Sequence, residues 1–327
     1  MKASWNMLRA VLAAGVVFAH NPVALAQAYP TKPVHLIVNY TPGGPADLVA
    51  RTAGTKMGEI LGQSFVIDNM PSANGAIGSV AAARSAPDGY TLLFASAGHT
   101  SIVAALYRER LPFDPFNDFL PVGMIDESPQ IIVAHPSLNV HSIDELVKLA
   151  KAKPGQLNFG SVGVGSGNHL GLELLKVMAH IDMVHVPYKG TAPVMQDLLA
   201  GRVHLMLNGM ATVVPYIKSG KLVALAVGSR KRSPAAPDVP TMIELGYPGF
   251  EVSSWHALLA PLKTPAPIIA RLNTAANQAV SDPQIVKALA AQGVEAEGST
   301  PEFAGKVMRE EYERWRKVIA EAKIVAE

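Results

Sequence analysis

Two glycine-rich turns hold the residues of this chain best suited to chemistry. In VHLIVNYTPGGPADLVAR an apolar run ends at Tyr40, turns through Gly43 and Gly44, and restarts as a helix-like segment headed by Asp47. In NFGSVGVGSGNHLGLELLK the residues Ser161, Gly163, Gly165, Ser166 and His169 stand in the same relation to a strand and a helix. Such a turn exposes backbone N–H groups beside the positive end of a helix dipole, which favours a small anion. Glycines at either place could serve only the tight turn, but two such mouths on opposite halves of a hinged chain point to a ligand site.

The anion is not a nucleotide phosphate. A dinucleotide fingerprint started at Gly163 meets Asn168 where its last glycine should be, and started at Gly165 it meets Leu170. A Walker loop from Gly160 to Gly165 continues as Ser166-Gly167 in place of Lys-Ser/Thr. Neither turn contains the arginine that a multiply charged phosphate recruits. A carboxylate held by backbone N–H groups, Ser161, Ser166 and water fits better; Lys189 either lends a charge or is solvated.

Catalytic patterns are missing. Ser96, Ser161 and Ser166 are preceded two residues earlier by Phe94, Phe159 and Val164, so none sits in a nucleophile elbow. The 10 histidines show no zinc spacing, and no cofactor or metal is expected. His169 and His99, the latter beyond the strand end at Ser96, each either pack and cap their loops or face the ligand. Tyr40 and Tyr188 follow strands and either line a pocket, against an apolar or aromatic ligand body, or pack on their own lobes.

Short apolar runs alternate with helical stretches along the chain: 34–38, 65–67, 91–95, 131–134, 157–160, 183–186, 203–207 and 223–228. This alternation predicts α/β units with parallel sheets. Ser142 and Glu145 form a capping-box pattern, and Asp282-Pro283 and Thr300-Pro301 mark two further helix starts. The chain leaves one set of units near Pro129-Gln130 and returns near Pro248 to Glu251, with a strand over 252–259 carrying Trp255 between the lobes. Two crossings make a hinge and a cleft: residues 29–130 with 252–327 form one lobe and 131–251 the other.

Ahead of them, Lys2 and Arg9, the apolar run 10–19 and the small-residue sites after Ala26 and Ala28 spell a secretory signal peptide over residues 1–28. The apolar run is well under the roughly 20 residues of a membrane span. Of 28 basic residues two lie in this leader, leaving 26 against 26 acidic ones, so bulk charge offers nothing to nucleic acid or an anionic membrane. With 0 cysteines there are no disulfides, thiol nucleophiles or lipid-anchored cysteine.

YPTKPVHLIVNYTPGGPADLVAR, APDGYTLLFAS, GSVGVGSGNHLGLELLK, HVPYKGTAPVMQDLLAGRV and APDVPTMIELGYPG, in this order, resemble the solute-binding proteins of tripartite tricarboxylate transporters, the Bug family. The resemblance implies a periplasmic receptor of type II periplasmic-binding-protein fold, two α/β lobes that close on a small organic acid, mono- or dicarboxylate. It would act as a monomer and deliver the acid to a small and a large membrane subunit. It also implies that the ligand is held by Gly43, Gly44 and Asp47 of one turn and by Ser161, Gly163, Gly165, Ser166 and His169 of the other. Around them Tyr40, Ser96, His99, Tyr188 and Asn208 are expected to line the cleft. Departures fall at Asn39-Tyr40-Thr41, where the family often reads Pro-Phe-Pro, at Asn208-Gly209, where it often has an acid, and at Ala257. Two rivals share these residues: a sensory module using the same cleft, and an exported hydrolase using a cleft serine with His99 or His169.

Overall fold

The computed structural model describes residues 29–72, 75–107, 110–291 and 293–325; the expected leader lies outside them. The chain begins with β1 (Val34–Val38), α1 (Pro45–Leu61), β2 (Phe65–Asn69), α2 (Ala76–Ala83) and β3 (Thr91–Ser96). A π-helical turn (Gly98–Ile102) runs into α3 (Val103–Tyr107), followed by the 16-residue β4 (Phe119–Ala134). Next come α4 (Ile143–Ala152), β5 (Asn158–Ser161), α5 (Gly167–Ala179), β6 (Val184–Pro187), α6 (Thr191–Leu199), β7 (Leu205–Gly209), α7 (Met210–Lys218) and β8 (Val223–Val227). The chain closes with β9 (Ser253–Pro261), α8 (Ala266–Ser281), α9 (Pro283–Ala291), β10 (Glu295–Ala296) and α10 (Pro301–Glu321).

Local chemistry explains the boundaries. Pro45 opens α1, where its missing N–H is no loss, and Gly62 closes it in the left-handed region at φ 73°. Ser142 Oγ accepts the Glu145 N–H at 3.2 Å while Glu145 Oε2 accepts the His141 N–H at 2.7 Å, a capping box shifted by one residue on its return arm. Thr300 caps α10 through the Phe303 N–H at 3.2 Å. β1 is buried at every position but His35, as a strand covered on both faces must be.

The strands follow the order β2-β1-β3-β9-β4-β7-β5-β6, with β8 and β10 also paired to β4. The βα units on either side are parallel, as expected, but the centre is antiparallel: β9 with β3, and β4 with β7, β8, β9 and β10. Along β4 the partner changes in mid-strand. Phe119 to Pro129 pair with β9, and Gln130 to Ala134 with β7. On the return, the Val252 N–H reaches Gly228 O at 2.8 Å, and the next residue, Ser253, pairs with Pro129. Two α/β lobes are thus sewn along one strand pair.

Two further segments join the lobes by packing. Ile102, with Leu106 against it, enters the apolar core built around Phe159, Leu170 and Leu205. α10 divides its length: Ala304, Val307 and Met308 belong to the core with Trp255 and Leu259, whereas Trp315 and Val318 belong to the Phe159 core. Between them the buried Glu311 accepts the Trp255 indole N–H at 2.8 Å. Among the described residues no helix is long and apolar enough to cross a membrane.

Candidate functional site

Tyr40, Ser96 and His99 come together beyond the carboxyl ends of β1 and β3, where ligands of open α/β sheets sit. The Tyr40 hydroxyl lies 2.8 Å from Ser96 Oγ, which also accepts the His99 N–H at 3.3 Å. The Tyr40 and His99 rings stack with centroids 4.7 Å apart. Burial raises the Tyr40 hydroxyl, against the opposing hydrogen bond to Ser96. Burial, and next the His256 charge, hold His99 down at about 4, so its imidazole is neutral. Its Nδ1 is sealed from water without a described partner. His99 is the second residue of the π-helical turn, an irregularity common at functional sites.

Asp47 builds the first turn. Its Oδ2 accepts the Gly43 N–H at 2.8 Å and Arg51 Nε at 2.9 Å, and its Oδ1 accepts Asn69 Nδ2 at 2.8 Å. Burial pushes this carboxyl up, but the bonds from Arg51, Gly43 and Asn69 outweigh it and hold it at about 2. Gly43 sits at φ 79° with open space around it, and Gly44 donates to Thr41 O at 3.4 Å. The glycine N–H groups therefore bond within the turn. The first-turn N–H groups of Ala46 and Asp47 remain, because no described side chain caps α1 and Pro45 has no N–H.

The second turn is closed by its own polar groups in the same way. Ser161, fully buried, donates to Gly163 O at 3.0 Å, accepts the Gly163 N–H at 3.1 Å, and lies 2.6 Å from His185 Nε2. Ser166 Oγ donates to Gly163 O at 2.7 Å and caps α5 through the His169 N–H at 3.3 Å. His169 Nδ1 accepts the Gly165 N–H at 3.1 Å, which leaves its proton on Nε2, 3.8 Å from Glu173. The His169 and His185 rings stack at 3.7 Å. Burial first, then His185 and Lys176, hold His169 at about 3; burial, then Lys176, hold His185 at about 4. The N–H groups of Gly167 and Asn168 keep no described acceptor.

Tyr188 adjoins the second turn through its backbone, its N–H reaching Ser161 O at 3.0 Å. Tyr188 donates to Asp197 at 2.7 Å within its own lobe, and burial, reinforced by Asp197, pushes it up to about 12. Asn208 is buried at the end of β7 with Oδ1 on the Gly209 N–H at 2.8 Å. Lys189 is exposed.

The segment that starts at His99 links the two turns. A Cβ on Gly165 would lie 2.8 Å from Leu106, and one on Gly167 would lie 3.6 Å from Ile102 and 3.8 Å from Gln130 Nε2. Residues that sequence reasoning passed over also converge here. Asn168 Nδ2 donates to Leu207 O at 2.6 Å and to Gln130 Oε1 at 3.4 Å. Buried Asp126 on β4 accepts from His256 Nδ1 on β9, at 2.8 Å and 3.0 Å to its two oxygens. At a sequence separation of 130 there is no local signal of the pairing. Among the described residues no cluster of histidine and acid could hold a metal.

Comparison with known proteins adds a family. Residues 49–324 match the profile of the tripartite tricarboxylate transporter family receptor. Protein BugT of Bordetella pertussis is 38% identical over 97% of this chain and 98% of its own. The R. palustris protein Rpa4515, solved with adipate, superposes with a TM-score of 0.71 at 36% identity, over 91% of this chain and 99% of that one. MatC of Rhodopseudomonas palustris, solved with bound malate, gives 0.68 at 33%, over 89% and 100%. The two-lobed α/β architecture is that of the type II periplasmic binding fold.

Proposed function

This chain belongs to the tripartite tricarboxylate transporter receptor family, and from that premise we propose that it is an exported solute-binding receptor for a small organic acid. In this reading residues 29–130 with 252–327 form one lobe and 131–251 the other. The acid enters between them, and the lobes close by rotation about the β4–β9 crossing. The closed form then hands the acid to a small and a large membrane subunit.

One observation carries the reading. Two helix starts, at Ala46-Asp47 and Gly167-Asn168, keep free N–H groups at turns whose other polar groups bond among themselves. Preorganised N–H groups at the positive end of a dipole suit a carboxylate and need no reorganisation to receive it. Adipate and malate in the two solved relatives are acids of that kind. Tyr40, Ser96 and His99 would line one side, while Gly43, Gly44 and Asp47, like Ser161, Gly163, Gly165, Ser166 and His169, would shape the turns. Tyr188 and Asn208 would support the second lobe.

Hydrolysis is disfavoured. In the second turn Ser161, 2.6 Å from His185 Nε2, is fully buried and its hydroxyl is taken up by Gly163 and His185. Native mass spectrometry of the purified chain, followed by calorimetry with a panel of mono- and dicarboxylic acids, tests the reading. A co-purified acid that binds again after removal supports it; no binding across the panel refutes it.

A further inference from the structure

Resting on the two-lobed receptor reading, we propose that the carboxyl cluster behind the β4–β9 crossing is a proton-operated latch. Glu127 and Glu297 share a proton that keeps β10 strapped across the hinge, so the lobes hold one arrangement at neutral pH and are released at alkaline pH. None of these residues belongs to the glycine turns. Asp126 turns to His256, and because side chains alternate along a strand its neighbour Glu127 faces the other side of the sheet. There Glu127 pairs with Trp255, whose indole N–H bonds to Glu311 of α10 at 2.8 Å.

β10 touches both lobes. Glu295 and Ala296 pair with Glu127 and Asp126, and the Glu297 N–H reaches Ile125 O at 3.2 Å. On its other side β10 is held by the lobe of residues 131–251. Ser233 Oγ donates to Glu295 Oε1 at 2.6 Å, and the Gly293 backbone lies so near Ala211 that a Cβ there would overlap it. A strand of 2 residues has little ladder of its own, so its cross-strand side chains decide whether it stays.

Charge makes the strap sensitive to protons. Glu127, Glu251, Glu297 and Glu311 line one small pocket with Arg230 and Arg314. Arg230 is bonded to Glu251 at 2.8 Å and lies over the Phe303 ring at 5.3 Å, and Arg314 approaches the same Glu251 at 4.0 Å. Both arginines are thus drawn to one carboxylate. The charged and titratable groups around Glu127 are Glu295 and Glu297 from β10, Arg230 from the loop after β8, Glu251 from the loop before β9, and Glu311 and Arg314 from α10, with Lys231 beside Glu295. So many half-buried carboxyls cannot all ionise beside two arginines, and two that share a proton exchange repulsion for a hydrogen bond. Burial, then the bond to Glu297, raise Glu127 to about 8, and burial raises Glu295 and Glu311 as well. The raised folded value means that the strap is held below about pH 8 and is lost as pH rises through it. Like charges then face each other across β4 and β10, which push apart. Because capture uses rotation about the same crossing, lobe closure answers to pH.

The test measures the distance between the lobes with no acid present. The chain has 0 cysteines, so Thr55→Cys in α1 and Lys148→Cys in α4, both exposed, place one spin label on each lobe. Pulsed electron paramagnetic resonance should give one narrow distance at pH 7 and a broadened or displaced one at pH 9.5, with the change centred near pH 8. This range starts above the ordinary histidine value of about 6.5. In Glu127→Gln and in Glu297→Gln the narrow distance should persist at pH 9.5, since an amide keeps the hydrogen bond without the charge. Ser233→Ala leaves every charge of the cluster in place but cuts the tie to β10, and should lose the narrow distance already at pH 7. Equal distances at pH 7 and pH 9.5 in the labelled chain, a pH response that survives in both glutamine variants, or a Ser233→Ala chain that behaves as its parent overturns the latch. The first comparison needs no change within the cluster and so decides even if those variants do not fold. Calorimetry with adipate and malate reads the receptor separately: binding without a pH-dependent distance leaves the receptor reading standing, and a pH-dependent distance without binding leaves the latch.

Discussion

Replacing Asp47 by alanine separates building the first turn from touching the ligand. Its carboxyl falls from the ordinary 3.8 to about 2 in the folded chain. At about 1.36 kcal/mol per unit this contributes about 2 kcal/mol, in line with the loss of a charged acceptor for three donors. The folded value is depressed, so the stabilisation is fully present above about pH 4 and is lost as pH falls through about 2. Asp47→Ala should therefore lower the melting temperature by about 4–8 °C at pH 7, taking the scale for a domain of this size. The gap should close as both proteins approach pH 2. Thermal unfolding by circular dichroism across that range measures it, and calorimetry with a bound acid at pH 7 gives the affinity. A variant as stable as the parent at pH 7 but unable to bind would refute the reasoning, because Asp47 would then act on the ligand and not on the turn.

Burial and then the hydrogen bond to Glu297 raise Glu127 to about 8, so the fold retains a proton that the unfolded chain loses above about 4.5. Its stabilising share is present below that value and gone above 8; Glu127→Gln should raise the melting temperature at pH 8.5 and leave it unchanged at pH 4. His99, His169 and His185 are held neutral well below the ordinary 6.5. The unfolded chain takes up protons that the fold refuses, so stability should fall steadily from pH 6.5 to about 4, and His185→Asn should flatten that slope in calorimetric melts. Gly165 sits at φ 75° with Leu106 in the path of a Cβ. Gly165→Ala should cost about 1–2 kcal/mol from backbone strain alone and weaken acid binding; adding Leu106→Ala should restore only the part due to the clash, measured by urea titration and calorimetry.

The parts of this fold that were legible in sequence are those governed by near neighbours. Ser142 and Thr300 announce their helix starts because caps act over three or four residues, whereas α1 opens at Pro45, two residues before the expected Asp47. The first half of β4 was not legible: FLPVGMIDESP holds two prolines, a glycine and two acids, against strand propensity. It is a strand because β9 runs beside it, and its irregular residues fall at register shifts between Pro121 and Gly123 and between Met124 and Asp126. The turns were recognised, but not how their donors are used. Gly43 and Gly165 give their N–H groups to Asp47 and His169, each four residues on. The donors that stay free are at Ala46-Asp47 and Gly167-Asn168. Asp126 and His256 escaped notice because only strand pairing brings them together.

The placement of β9 beside β3 bears on how this chain must be made. β3 ends at Ser96 and its antiparallel neighbour begins at Ser253, so the chain between them emerges before that neighbour exists. Until then the buried row Leu92, Leu93 and Phe94 is an open, apolar edge, the kind that pairs with other copies. A chain stopped at Pro248 should therefore aggregate where the full chain does not, as light scattering of the two after dilution from urea would show. Late arrival of the C-terminal quarter makes a holding chaperone during synthesis an expected requirement of this topology.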